Sequence, residues 1–476
     1  MSDIVSDYRP DPRILELGEG FHDEVKPAGF PEERLRFRND RWARRVGLGD
    51  QTDDEWRAHF ARFEPLEDNL TAPLALRYHG HQFRHYNPDI GDGRGFLYAQ
   101  LRDEGDRLLD LATKGSGQTP YSRSGDGRLT LQGGVREVLA AQRLEALGVE
   151  TSKPFALYET GEELVRHDEP SPARSAVLTR LGWSHIRIGT FQRHAFEESP
   201  TRIQALLDHC IGAYYPELED RKGDDRAAAF LENVVRRSAR LTAQWMAAGF
   251  VHGVLNTDNL NVTGESFDYG PWRFLPYYEP GFTAAYFDES GLYAYARQPD
   301  SVFWTMQQLA ACLSAIVEDT KPLVEALNVF PDAYQDETRA AFLKRLGVLS
   351  AGAEADTKLL QSLLAFLRES QAPWERFFYD WYCGKDSERR ADESPEAVRY
   401  QGEAFDAFRA QLDNHAAEDR DRLNHLYFKR GHPCTLVYED HAALWAKIAE
   451  DDDWSGFEEM LADTELMRRA LAGEHD

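Results

Sequence analysis

Three residues in the run GFVHGVLNTDNLNVTGESFDYG, residues 249–270, have the types and spacing to hold a metal ion and accept a proton. Asn259 and Asp268 lie nine positions apart, on loops read as flanking a short hairpin. From there two hard oxygens can turn onto one divalent cation. Asp258, directly before the Asn, adds a further carboxylate. Taken alone, Asn-Thr-Asp-Asn is a turn sequence and Asp268 a cap; the combined spacing favours the cation. Upstream, Lys114 ends an apolar strand-like run and Glu137 lies near the start of the helical stretch after it. A lone strand-end lysine is usually solvated, but with the Asn/Asp pair downstream a Lys–Glu pair facing phosphates is the better reading. Gly91, Gly93 and Gly95, with Asp92 and Arg94 between them, form a turn whose N–H groups can approach phosphate oxygens. A plain β-turn satisfies the same pattern. Arg180 and Arg187, in LTRLGWSHIRIG, are of the type that makes bidentate phosphate contacts. In an Arg-rich chain that spacing alone says little.

Elements must position these residues. From about residue 70 to 190 the pattern is strand-like. Residues 95–102 (GFLYAQLR) and 107–114 (RLLDLATK) alternate around Asp-Glu-Gly-Asp and predict a hairpin. Residues 127–148 carry Val135, Val138, Leu139, Leu144 and Leu147, a helical face closed by Gly148. Residues 154–159 and 175–181 read as further strands. Beyond residue 200 the pattern turns to long helices, 226–249 and 301–319 among them. The expectation is an α+β fold of two lobes. Residues 1–190 form an N-terminal region and β-rich nucleotide-binding lobe. Residues 191–476 form an α-helical lobe with the metal-binding loop and a helical C-terminal extension. Protein kinases hold metal with the Asn of H-R-D-x-x-x-x-N and the Asp of D-F-G. Laid on His252, that template puts Asn259 at its last position, but Gly253 and Val254 fall where Arg and the catalytic Asp belong. The metal frame is kept and the usual base is absent, which leaves Asp258 for that work.

Composition bounds the partners. At 476 residues the chain is too long for one compact core and suits two. The net charge of -27, from 55 basic and 82 acidic residues, argues against nucleic acid or an anionic membrane as the main partner. No window approaches about eighteen uninterrupted apolar residues. The acidic start lacks a hydrophobic signal core. Cys210, Cys312, Cys383 and Cys434 are too dispersed for a disulfide framework or a CxxC metal motif. A cytoplasmic protein is expected. Only ten of the 55 basic residues are Lys. Carboxylates hold water and salt cations well, so an acidic, Lys-poor surface suits a saline, halophilic cytoplasm. A GC-rich genome also favours Arg over Lys.

The motifs GDGRG, ATKGSGQTPYSRSGDGR, VREVL, LTRLGWSHIRIG and above all GFVHGVLNTDNLNVTGESFDYGP resemble the selenoprotein O family, the YdiU-like protein adenylyltransferases, over residues 75–310. The resemblance implies a protein-kinase-like fold, a pseudokinase that binds ATP flipped relative to kinases. It implies transfer of AMP, not of the γ-phosphate, to Ser, Thr or Tyr hydroxyls of proteins. Matched by position, Gly91, Gly93 and Arg94 are its nucleotide-binding turn, Lys114 its nucleotide lysine and Glu137 the helix partner. Asp126 and Gly127 match the pair that contacts the nucleotide, and Arg180 and Arg187 the arginines around the terminal phosphate. Asp258 matches the proposed base. Asn259 and Asp268 match the ligands of Mg2+ or Mn2+, with Asp268 also at the nucleotide.

The chain departs from the family pattern in places. Gly133-Gly134 replaces the usual Ser-Ser and is expected to loosen the helix start by about 1 kcal/mol per Gly. In YHGHQFRHYNP, Arg84-His85 replaces smaller neighbours after GHQF. His79, His81 and His85 suggest zinc only weakly, with no Cys or fourth ligand nearby. The C-terminal ALAGEHD lacks the Cys or selenocysteine motif of many members. GFTAAYFDES, after Pro280, lacks the Cys that can pair with it, so that redox bridge is not expected. Three activities fit: AMP transfer with pyrophosphate leaving, kinase-type phosphoryl transfer to a protein or small molecule, and a non-catalytic ATP-binding scaffold. Val254 at the base position weighs against the second, and a full metal frame against the third.

The charge generates a prediction. At -27 the surface repels itself, and ions that screen it stabilise the folded state. Melting temperature and activity are expected to rise from low salt toward molar KCl. A melting series that peaks at low salt removes the halophilic reading.

Overall fold

The structure, a computed structural model, describes residues 7–166 and 169–474. The first six residues of the acidic start and the last two of ALAGEHD lie outside the described residues. The strands are β1 (His22–Glu24), β2 (Arg34–Arg38), β3 (Leu74–Leu76), β4 (Gly80–Gln82), β5 (His85–Asn87) and β6 (Leu97–Arg102). They continue with β7 (Leu108–Lys114), β8 (Leu129–Thr130), β9 (Lys153–Leu164), β10 (Ala173–Gly182), β11 (Phe250–Val251) and β12 (Arg273–Phe274). Eight of them pair in one antiparallel sheet, ordered β1-β3-β6-β7-β10-β9-β2 with β8 against β10. Register shifts between β6 and β7, β9 and β10, and β2 and β9 curl it. The expected hairpin is β6–β7, and Asp103 closes its turn by accepting from the N–H groups of Gly105 and Arg107, both at 2.9 Å.

Every residue of β7 is buried, because both faces of the sheet are covered. Over one face lie α1 (Asp40–Arg45) and α2 (Asp53–Phe60), whose Trp42, Trp56 and Phe60 pack with Phe96, Tyr98 and Phe155. A capping box starts α2: Thr52 and Glu55 satisfy each other's backbone N–H groups. Over the other face lies α3 (Leu131–Ala146), burying Leu131, Val135, Val138 and Leu139. The periodic stretch was expected to be helical from 127, but α3 begins four residues later. Gly127 is left-handed, at φ +71°, and Thr130 caps the helix by accepting from Gly133 N at 3.2 Å. Gly134 has a packing reason: a Cβ there would stand 2.6 Å from Leu157 Cδ1. Its absence lets α3 sit close on the sheet, so the glycine that weakens the helix tightens the layer.

Helices dominate after β10: α4 (Ile188–Phe196), α5 (Pro200–Tyr214), α6 (Gly223–Ala248) and α7 (Gln298–Leu313). On α6 a stripe of Phe230, Leu231, Val234, Leu241 and Trp245 is buried, and Gly249 ends the helix at φ +65°. The helix expected to reach 319 stops at Leu313 and a short 3-10 turn, because Asp224 of α6 accepts from the N–H groups of Glu318 and Asp319 and pulls the chain out of register. Phe366, Trp374, Phe377, Phe378, Trp381 and Phe408 form an aromatic core in the C-terminal part. The last helix, Ser455–Ala472, packs back against α3. The architecture is α+β, with a curled antiparallel sheet followed by a helical region. Among the described residues no helix is long and apolar enough to cross a membrane.

Two buried histidines generate a prediction. Burial pushes His209 down to about 4 and His441 down to about 3, with Arg136 and Arg273 adding to the shift at His441. Both are neutral in the folded chain, whereas the unfolded chain protonates them below about 6.5. They contribute stability above that pH that is lost as pH falls toward 4. The melting temperature is expected to drop across this window, and to drop less in His441→Phe.

Candidate functional site

A cleft of about 600 Å³ gathers most of the singled-out residues. Gly91, Gly93, Arg94, Lys114, Asp126, Gly127, Arg180, Arg187, Asp258 and Asp268 all line it. Glu137 stands behind Lys114, and Asn259 is not among the lining residues. Lys114, at the end of β7, is buried, so it is not a solvated strand-end charge. Its Nζ bonds Glu137 Oε1 of α3 and reaches Asp268 Oδ1 at 2.6 Å. Arg180 of β10 donates to the same Asp268 oxygen at 3.3 Å and lies 3.8 Å from Glu137 Oε2. Two cations and two carboxylates thus tie a strand, a helix, a second strand and a loop together. Burial works to raise Asp268, but Lys114, then Arg180 and Arg187, outweigh it and hold its carboxyl well below the usual range.

The glycine turn forms one rim. Gly91 and Gly93 are small because Tyr121 and its backbone lie against them; a Cβ would meet the ring at 2.5 Å and the carbonyl at 2.9 Å. Thr119 Oγ1 donates to Asp92 O, and Ser122 Oγ to Gly93 O, so the turn and the loop after Lys114 are fastened together. Gly127 packs on Gly117, where a Cβ would stand 2.3 Å from the backbone. Asp126 is not free: Arg166 grips it at 2.8 and 3.1 Å. Arg94 is exposed.

The opposite wall is the segment from Asn256 to Asp268. The hairpin expected between Asn259 and Asp268 does not form. Asn261 bridges Arg187 and Ser266 bridges Thr151, so each arm pairs with a distant segment instead of with the other. Arg187 is buried; its Nε donates to Asp258 O at 2.8 Å and its Nη1 to Asp92 Oδ1 at 3.0 Å. Burial raises Asp258 to about 6, against the pull of Arg187 and with help from Asp268. Its Oδ1 is buried without a hydrogen-bond partner. The small β4–β5 hairpin, carrying GHQF, braces this wall. His81 N donates to Thr257 Oγ1 at 2.7 Å, and Phe83 N to Asn256 Oδ1 at 3.0 Å. Gly80 permits the approach, since a Cβ would come within 3.1 Å of Asp258 Oδ1. His79 bonds Tyr86 and His81 bonds Gln192, while His85 is exposed. The three histidines therefore serve separate contacts.

The charges of the cleft oppose those of the chain. Seven basic and four acidic side chains line it, in a protein of net charge -27. An anion with several charges fits that lining, and a neutral ligand does not need it. The donor set also suits a hard divalent cation: Asp268 faces the cleft, Asp258 Oδ1 lacks a partner, and Asn259 turns its amide nitrogen to Val254 O at 2.9 Å. Motif reading gave no role to Tyr78, Gln82, Asp92, Tyr121 and Arg166, which also line the cleft. Tyr78, Gln82, Asp92 and Tyr121 lie inside the motifs quoted above, and only Arg166 falls outside them.

Comparison with known proteins extends the likeness beyond residues 75–310. The model of the family described as protein adenylyltransferase SelO matches residues 5–465. A protein nucleotidyltransferase YdiU of Trichodesmium erythraeum is 44% identical, over 97% of this chain and 99% of its own length. One of Synechocystis sp. is 43% identical, over 95% and 96%. Another, of Trichormus variabilis, is 49% identical over 78% of this chain and 75% of its own.

The buried ion cluster predicts a stability effect. Lys114→Ala leaves Glu137 buried with one distant cation, which costs about 3–5 kcal/mol in comparable pairs. Lys114→Met combined with Glu137→Gln is expected to lose less than Lys114→Ala alone. Denaturant unfolding checks both, and a Lys114→Ala loss under about 1 kcal/mol removes the cluster as an anchor.

Proposed function

Since the chain belongs to the protein adenylyltransferase SelO family and is a nucleotidyltransferase, we propose that this cleft binds ATP and passes AMP to Ser, Thr or Tyr hydroxyls of protein substrates. The observation that carries the reading is the basic lining of the cleft beside Asp258, whose Oδ1 is buried without a hydrogen-bond partner. In this account the acceptor oxygen attacks the α-phosphorus, the bond to the β-phosphate oxygen breaks, and pyrophosphate leaves. Asp258 takes the hydroxyl proton, a role supported by a carboxyl raised to about 6, near working pH. Lys114, Arg180 and Arg187 hold the outgoing phosphates, and Glu137 keeps Lys114 aimed. Gly91, Gly93 and Arg94, with Asp126 and Gly127, border the nucleotide. Asn259 and Asp268 hold Mg2+ or Mn2+, which when bound neutralises charge on the phosphates.

The same reading takes the chain as a protein-kinase-like pair of lobes, residues 1–190 and 191–476. It is supported by the end of the sheet at Gly182 and the run of helices from Ile188 onward. The Lys114–Glu137 pair and Asp268 would equally serve transfer of a γ-phosphate, so the test must separate the two. A saline cytoplasm remains the proposed setting for the acidic surface.

Incubation with ATP labelled separately at the α- and γ-phosphates decides the reaction. Label from the α position on protein is expected. Label from γ instead means a kinase, and bound ATP without transfer means a scaffold. Asp268→Ala is expected to abolish metal-dependent transfer, and Asn259→Ala to weaken it less, because one removes a charged ligand and the other a neutral one. Undiminished turnover in both variants takes the cation out of the account.

A further inference from the structure

The tip of the β4–β5 hairpin is built against its backbone preference. Gln82 pairs with His85, so Phe83 and Arg84 make a two-residue turn, and both are left-handed, at φ 48° and 65°. Such turns normally take Asn-Gly or Gly-Gly, and a bulky pair there is strained. The strain holds two side chains beside the Asn256–Asp258 wall. Phe83 packs on Tyr293, at 4.9 Å between ring centres, and Tyr293 donates to Asn256 Oδ1 at 2.9 Å. Phe83 also meets Phe287 at 5.8 Å. Phe287 and its neighbour Tyr286 are 49% and 84% exposed, an aromatic ledge without a cover. Arg84 is exposed too, with its guanidinium 5.3 Å from the Trp304 ring. Among the described residues it makes no ion pair, in a chain where most arginines near the site are gripped by carboxylates.

We propose that Phe83, Arg84, Tyr286 and Phe287 form the docking ledge for the acceptor protein, and that Arg84 selects acceptors with an acidic side chain next to an apolar one beside the hydroxyl. This rests on the adenylyl-transfer reading, since the ledge adjoins the wall that carries Asp258. The ledge supplies exposed aromatic area, which anchors an apolar residue, and one unpaired cation, which favours a carboxylate. Arg84 contacts no reacting atom in this account; it sets specificity.

The test uses the full chain and two short peptides. Each has one Tyr flanked by Leu, with Asp in one peptide and Lys in the other. Binding is read by fluorescence anisotropy with a non-hydrolysable ATP analogue present, and α-label transfer is read separately. Wild type is expected to bind the Asp peptide about tenfold more tightly than the Lys peptide. Arg84→Gly, which suits the left-handed turn and so keeps the fold, is expected to erase that preference while leaving ATP affinity unchanged. Phe287→Ala is expected to weaken both peptides alike. Equal binding of the two peptides by wild type, or a preference that survives in Arg84→Gly, overturns the ledge. Peptide preference without any α-label transfer supports the ledge and sinks the adenylyl-transfer reading instead. Self-labelling that Arg84→Gly removes while neither peptide binds makes a second copy the occupant and overturns the acidic-peptide selection.

Discussion

The buried cluster of Lys114, Glu137, Arg180 and Asp268 is the constraint on which the site depends. Each member comes from a different element: β7, α3, β10 and the loop before β12. Lys114, Glu137 and Arg180 are buried and Asp268 is half-buried. Charges so placed are costly unless each finds its partner, so the cluster favours an arrangement that brings all four elements together. That requirement explains why α3 must sit close on the sheet and why Gly134 is worth its loss of helix propensity. It also sets where the loop carrying Asp268 returns, and hence where the wall with Asp258 stands.

The second organising feature is the contrast of charge between the cleft and the rest. The exterior is strongly acidic, yet the cleft has an excess of arginine and lysine. A polyanion is repelled by the acidic exterior and attracted by the basic lining of the cleft. Several of these cations are already engaged: Arg166 by Asp126, Arg187 by Asp92 and the Asp258 carbonyl. Engagement fixes the direction of the guanidinium groups in advance, so a phosphate meets prearranged donors instead of ordering flexible ones.

Close backbone approach is the third. Gly80 lies on Asp258, Gly127 on Gly117, and Gly91 on the Tyr121 ring. At these contacts a Cβ has no room, and the reason is the neighbouring segment more than the turn itself. The site is a set of loops pressed together, with side-chain hydroxyls of Thr119, Ser122 and Thr257 closing the joints. Such joints stiffen a loop-built site.

Much was legible in the sequence because it is local. Alternation marked the β6–β7 hairpin, periodicity marked α3 and α6, and motif order marked Lys114, Glu137, Arg180, Asp258 and Asp268. The acidity and the scarcity of lysine also come from the sequence alone. Where reading went astray, a distant partner was the cause. The start of α3 shifts to Leu131 because Gly127 is needed against Gly117, and α7 stops early because Asp224 captures two later N–H groups. The hairpin expected between Asn259 and Asp268 is replaced by bridges to Arg187 and Thr151. The bracing by GHQF and the grip of Arg166 on Asp126 join segments far apart in the chain. The sequence by itself determined which chemical groups are present and which helices and strands could carry them, because propensity and periodicity act over a few residues. Only the tertiary structure decided which carboxylate keeps a buried oxygen without a partner and which is clamped by cations, because burial and ion pairing depend on neighbours that come from anywhere in the chain.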